Sequence, residues 1–312
     1  MVSLPAQIRW PAVVLVLMAA ASCSTGPGTA GSGGATAPST SPSTSGAGPL
    51  TAEISQFRDN YSRQIIEIQL TNTTGEPITV LAAGLRSQLF ASAISWSAAD
   101  AGTELPPGQT KSLPARLPAA SCPDQAPQDA AADPPAAAVE VLLAPAAGAP
   151  GRTVTAEATD PFGVLPRNNS EMCVAQAAAE VAEFRFGPEL ELSLDARTAV
   201  LHLVITPRHP AGEPSDRALT INSIGGTTLL EEDRSAPWPS GLRVDAAGPV
   251  REVRLGIRPA RCDPHAVAED KVGTLIPLHV TVAGREGVLK VDAGAQLRGR
   301  IYDFVTSACG RQ

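Results

Sequence analysis

Histidine and lysine are scarce in this chain: four of its 312 residues are His, and Lys111, Lys271 and Lys290 are the only lysines among 24 basic residues. A Gly-x-Ser-x-Gly elbow, a His-Glu-x-x-His pair and a Walker-type phosphate loop are all missing, which removes the enzyme classes built on those constellations. The longest apolar run, Ala12 to Ala21, falls short of the roughly 20 residues a membrane span requires. A net charge of -7 disfavours a general nucleic-acid role. Metal chemistry is also poorly supplied. Cys262-x-x-His265 brings two ligands where zinc normally takes four, and outside the cytoplasm thiols tend to be oxidised. The reading is of a non-enzyme with no cofactor and no catalytic residue.

What is present is a pattern written twice. Gly75-Glu76-Pro77 returns as Gly212-Glu213-Pro214, Trp96 as Trp238, Gly108 as Gly248, Cys122 as Cys262 and Cys173 as Cys309, in the same order and roughly 140 residues later. Leu113, Ala115 and Leu117 alternate before the first cysteine, as Val253, Leu255 and Ile257 do before its counterpart, and period two signals a strand. Short alternating runs bounded by Pro and Gly fill both halves. In the first they lie at Ala52 to Phe57, Ile66 to Leu70, Ile78 to Ala83, Leu89 to Ser97, Thr110 to Leu117, Val139 to Leu143 and Thr153 to Ala158. In the second they lie at Leu190 to Leu194, Val200 to Thr206, Leu219 to Ile224, Thr227 to Glu231, Val250 to Ile257, Leu275 to Val282, Val288 to Val291 and Arg300 to Thr306. The expected fold is all-β: two tandem immunoglobulin-like β-sandwich domains, 51–180 and 187–312. The only helical pattern is Val174 to Glu183, and Val174 to Gly187 is the junction, to be filled by helix, strand or linker. Both tryptophans precede the cysteines of their half, unlike antibody domains, and read as packing residues.

The amino-terminal segment reads as an address. Arg9, the apolar run and Ser22-Cys23 make residues 1–22 a signal peptide. Small residues before a cysteine, followed by a Ser/Thr/Gly/Pro stretch, resemble the lipobox of bacterial lipoproteins, in which that cysteine is acylated and becomes the new terminus. Cys23 is thus the expected lipidation site, and 23–50 a flexible tether with a root-mean-square span of roughly 28 Å. Ordinary secretory cleavage after Ala19-Ala20-Ala21 is the alternative, giving a soluble secreted protein. Five cysteines is an odd number, and acylation of Cys23 leaves four. Pairing Cys122 with Cys173 and Cys262 with Cys309 respects the repeat; the other two connectivities would cross-link the halves.

The segment Cys262-Asp263-Pro264-His265-Ala266-Val267-Ala268-Glu269-Asp270-Lys271-Val272-Gly273-Thr274 resembles a signature of uncharacterised exported lipoproteins of actinobacteria. The resemblance implies an exported, envelope-facing protein and brings no activity. The first half has no such segment, so a function tied to it belongs to the second.

Two candidate binding surfaces follow. His265, Glu269, Asp270 and Lys271 form a polar cluster on a loop held by Cys262. Arg254 and Arg258 lie opposite the Val253, Leu255, Ile257 face and belong to a run with Arg243, Arg251 and Arg261, suited to an anionic envelope polymer, lipid headgroups or an acidic protein partner. His202 and His279 match Glu67 and Glu140 in the repeat and read as exposed surface residues. The function expected is a lipid-anchored, extracytoplasmic binding or scaffolding protein on the outer face of the cell membrane; an envelope hydrolase using the His265 loop is the remote alternative.

Overall fold

The computed structural model describes residues 48–99, 101–123, 137–145, 150–209 and 215–310. The expected signal peptide, Cys23, nearly all of the tether and the second Gly-Glu-Pro landmark lie outside them. Gly46–Gln312 form one compact unit. It is mostly β. Among the described residues no helix is long and apolar enough to cross a membrane.

The first half contains β1 (Leu50–Ser55), β2 (Ile65–Asn72), β3 (Ile78–Arg86), β4 (Ile94–Ser97), β5 (Thr103–Leu105), β6 (Thr110–Arg116), β7 (Ala137–Leu143), β8 (Arg152–Thr159) and helix α1 (Val164–Ala179). The second contains β9 (Ala182–Phe186), β10 (Glu191–Leu192), β11 (Ala199–Pro207), β12 (Ala218–Ile224), β13 (Leu230–Glu232), β14 (Leu242–Asp245), β15 (Arg251–Pro259), α2 (Pro264–Ala268), β16 (Leu275–Val282), β17 (Arg285–Asp292) and α3 (Gly294–Cys309).

The strand pairings repeat. β1–β2–β6 corresponds to β9–β11–β15, and β5–β3–β7–β8 to β14–β12–β16–β17. The register repeats as well, since Glu67 faces Pro114 as His202 faces Arg254, and Gly84 faces Glu140 as Ser223 faces His279. Alternation explains the cores: Ile66, Ile68 and Leu70 turn inward from β2 as Leu201, Leu203 and Ile205 do from β11, all fully buried. Each such side chain contributes about 1.5–3 kcal/mol relative to exposure. The halves differ at their edges, where β4 pairs with β3 but β13 with β15 and β10 with β11, and at one seam. Ala52 and Glu53 of β1 pair in parallel with Ala158 and Thr159 of β8, joining the first half into one sheet, whereas β9 and β17 leave the second half as two sheets.

Several elements depart from the sequence expectation. Arg300 to Thr306, read as a strand, lies inside α3, whose buried Leu297, Ile301, Phe304, Val305 and Ala308 follow helical spacing. The junction holds the C-terminal end of a helix that starts ten residues earlier than expected, at Val164, and then strand β9. The start at Val164 has a cause in Asp160, whose carboxylate accepts from the Val164 and Leu165 amides at 2.7 and 2.8 Å, satisfying groups that a helix N-terminus leaves unpaired. Leu89 forms no strand, because Ser87 to Phe90 is a turn; Phe90 makes only an isolated bridge to Ala120, and the strand itself runs over Ile94–Ser97. Leu50 already pairs with Asn72, so β1 begins inside the segment assigned to the tether.

Disulfides link Cys122 to Cys173 and Cys262 to Cys309, each tying the segment after the third strand of a β1–β2–β6-type sheet to the helix that ends its half. They close loops of about 50 residues, worth around 4 kcal/mol each in the chain-entropy model. Such bonds fit an oxidising, extracytoplasmic compartment.

Candidate functional site

The loop carrying His265 does not gather its polar residues onto one point. Asp263 caps α2, its carboxylate accepting from the His265 amide at 3.0 Å, while the His265 imidazole stands 92 % exposed and 3.5 Å from Asp263. Glu269 and Lys271 are exposed. Asp270 turns the other way. Its carboxylate accepts from the Gly273 amide and from the Tyr302 hydroxyl, both at 2.8 Å, and from Thr228. Burial and the neighbouring Asp270 carboxylate push the Tyr302 phenol up to about 12. Asp270 therefore pins the loop to α3, and the four residues do not form one pocket.

The arginines of β15 are engaged internally. Arg254 grips both carboxylate oxygens of Glu191 at 3.3 and 2.5 Å, and Arg258 meets Glu231 at 2.7 Å. Arg243 pairs with Asp245 at 2.8 Å. Arg254 holds the Glu191 carboxyl below its ordinary range, and Glu191 in turn keeps Arg254 charged. The basic run is thus largely compensated by the second half's own carboxylates, which lowers its attraction for an external polyanion.

His202 sits in the same group and is not the freely exposed residue its strand position suggests. Its side chain is 14 % exposed, with Nδ1 2.6 Å from Glu252 and Nε2 3.3 Å from Glu191. Its counterpart Glu67 is also covered: the residue is 3 % exposed, and Asn60 donates to it at 2.8 Å. Burial raises the Glu67 carboxyl above 4.5, partly offset by that hydrogen bond. In both cases residues from a neighbouring turn or edge strand close over the outward face, which alternation within the strand does not encode. His279 and Glu140 remain exposed, as their positions suggest. Among the described residues no group of three or more His, Cys, Asp or Glu is arranged to hold a metal ion.

The densest set of contacts between the halves lies along α1. Val164 and Leu165 belong to the first core, Val174 and Ala178 to the second. Lys290 of β17 donates to both oxygens of Glu171 at 2.7 and 2.8 Å. The Lys290 ammonium and the Arg167 guanidinium lie 5.3 and 5.2 Å from the Tyr61 ring centre. Gly287 lets the helix approach β17, since a Cβ there would stand 2.7 Å from a Val174 methyl. The cavity between Tyr61, Asn168, Glu171 and Lys290 is about 180 Å³, below the ~300 Å³ at which ligand pockets begin. Its chemistry is that of a joint. Sequence reading missed it because its members are scattered, although Lys290, one of three lysines in a chain of arginines, was a visible clue.

No family model matches the chain, and no curated protein matches it. Distant likenesses exist among solved structures. The YadV chaperone is similar at 11% identity and a TM-score of 0.20, over 73% of this chain and 92% of that one. Red sea bream transglutaminase is similar at 12% and 0.23, over 79% and 31%. The Amycolatopsis orientalis exo-chitosanase CsxA is similar at 12% and 0.19, over 78% and 26%. The chain spans less than a third of the latter two, and scores this low carry no argument about fold or function.

Proposed function

We propose that this protein is a lipid-anchored scaffold of the cell envelope, exported and held on the outer face of the membrane through Cys23, with two tandem immunoglobulin-like sandwich modules acting as one rigid body. The observation that carries this reading is the shared helix: α1 packs into both cores, and each half is stapled by its own disulfide. Fusing two modules in this way suits presentation of surfaces at a fixed spacing, whereas a solute receptor that closes on its ligand works through a hinge. The repeated strand pairing supports the duplicated sandwich, and the likeness of Cys262 to Thr274 to exported actinobacterial lipoproteins supports the location. The test is intact mass, reduced and unreduced, of the full chain purified from membranes of its native host, with peptide mapping. Acyl mass on Cys23 together with both disulfides supports the anchor; an unacylated chain recovered in the medium replaces it with a soluble secreted protein.

A further inference from the structure

The seam that a strand closes in the first half stands open in the second. Phe184 of β9 occupies the place of Ala52 of β1, since Ala52 faces Leu70 as Phe184 faces Ile205. Val291 of β17 occupies the place of Ala158 of β8, since Ala158 faces Ala137 as Val291 faces Ile276, three residues before Glu140 and His279. Ala52 and Ala158 are strand partners, whereas β9 and β17 do not pair. Between β9 and β17 lies a cavity of about 480 Å³, lined on its helix side by Ala175, Ala178 and Ala179 of α1. Unlike the joint cavity, it falls within the size range of ligand pockets.

Strand alternation fixes which main-chain groups face this slot. The Arg208 amide donates to the Val181 carbonyl at 3.0 Å and the Gly187 amide to the His202 carbonyl at 2.8 Å, so Glu183 and Arg185 between them are the residues that bond β11. Ala182, Phe184 and Phe186 therefore turn their N–H and C=O groups outward. On the other wall the Ala293 amide donates to the Thr274 carbonyl at 3.1 Å, so Lys290 and Asp292 turn theirs away from β16. In the first half the equivalent groups are taken up by the β1–β8 pairing; here they have no backbone partner among the described residues. What covers such an edge in the sister copy is a strand. Charge adds a direction. Glu183 pairs with Arg185 at 3.0 Å, Lys290 with Glu171 at 2.7 Å and Asp292 with Arg298 at 3.0 Å. Arg208, just beyond the Pro207 that faces Ala182 at the start of β9, donates from Nε to the Ala179 carbonyl at 2.8 Å and has no carboxylate partner among the described residues. Free strand edges, small lining side chains and an uncompensated guanidinium at one end suit an extended peptide that finishes in a carboxylate.

We infer that the open seam between β9 and β17 is a peptide-binding slot, in which the carboxy-terminal segment of a partner protein adds to β9 as an antiparallel strand and sets its terminal carboxylate on Arg208. The slot lies within the second half and α1, so the inference does not depend on acylation of Cys23. The probe is the acetylated hexapeptide Thr-Val-Thr-Val-Thr-Val, whose alternate valines meet the alanine lining, titrated into the full chain as the free acid, as the carboxy-terminal amide and with every peptide nitrogen methylated. The expected result is saturable binding of the free acid, with slowed exchange of the Ala182, Phe184 and Phe186 amides. The amide form binds about tenfold more weakly for want of the charge-assisted bond, and the methylated form loses about tenfold or more for want of main-chain pairing. Arg208→Gln brings the free acid down to the amide form. Arg208 is exposed, so the melt and both disulfides stay unchanged in that variant and loss of preference is not loss of fold. The inference is overturned if the free acid shows no saturable binding, if the methylated peptide matches it, if exchange at the three amides does not slow, or if the free-acid preference survives Arg208→Gln. Cys23 acylation is read separately by mass, so failure of the slot and failure of the anchor are distinguishable.

Discussion

The two halves use one pairing scheme and close it differently. In the first, β8 finds β1 and the sheets join; in the second, β17 meets α1 from the first half, and its neighbour β9 stays unpaired with it. The residues record this. Val154 of β8 and Gly287 of β17 occupy matching registers, facing Val141 and Val280, yet one carries a side chain and the other must not because Val174 fills that space. A repeated module becomes part of a larger body when one copy gives up a seam to its neighbour's helix.

The largest effects test whether the copies are equally stapled. Cys122→Ser with Cys173→Ser, and Cys262→Ser with Cys309→Ser, are each expected to cost about 2–5 kcal/mol. Chemical denaturation should find the two losses within ~1 kcal/mol of one another, since the loops span 51 and 47 residues and loop entropy varies slowly with length. Next comes the seam itself. Gly287→Val forces a branched side chain against Val174 and is expected to cost about 1–3 kcal/mol and to split the melt into two transitions; Val154→Gly in the first half destabilises without splitting it. Smaller is the ion pair across the joint, where a double-mutant cycle of Lys290→Met and Glu171→Gln should return a coupling of about 1 kcal/mol.

Two pH effects sharpen the contrast further. The Glu67 carboxyl is raised above 4.5 by burial, so the stability tied to its neutral form is complete below that pH and is lost as pH rises through the folded-state value. Glu67→Gln should therefore gain on the wild type in thermal melts taken from acid to neutral pH. In the second half the Tyr302 phenol, at about 12, gives stability that is whole below about pH 10 and lost as pH rises through about 12. Because the chain has two tyrosines, ultraviolet titration of Tyr302→Phe should lose the late phenolate step.

Most strands were legible because their alternation reports burial directly: Leu201, Leu203 and Ile205 say where β11 faces without help from elsewhere. α3 was misread because Arg300 to Thr306 is rich in β-branched and aromatic residues, although Leu297, Ile301, Phe304, Val305 and Ala308 spell helical spacing once the window is widened. The site residues were harder. The repeat located His202 and Glu67, but what covers them comes from Glu191, Glu252 and Asn60, brought in by tertiary structure. Asp270 looked like one of a surface cluster and is a loop pin, since its direction depends on Tyr302 32 residues away. Arg254 and Arg258 were rightly placed outside the core, while their carboxylate partners depend on pairing that spacing alone does not reveal.

Scanning calorimetry of the full chain tests most directly the claim that a shared helix makes one body of two copies. The account predicts a single transition whose calorimetric and van't Hoff enthalpies agree in the wild type, dividing in two in Gly287→Val. Two resolved transitions in the wild type would contradict it.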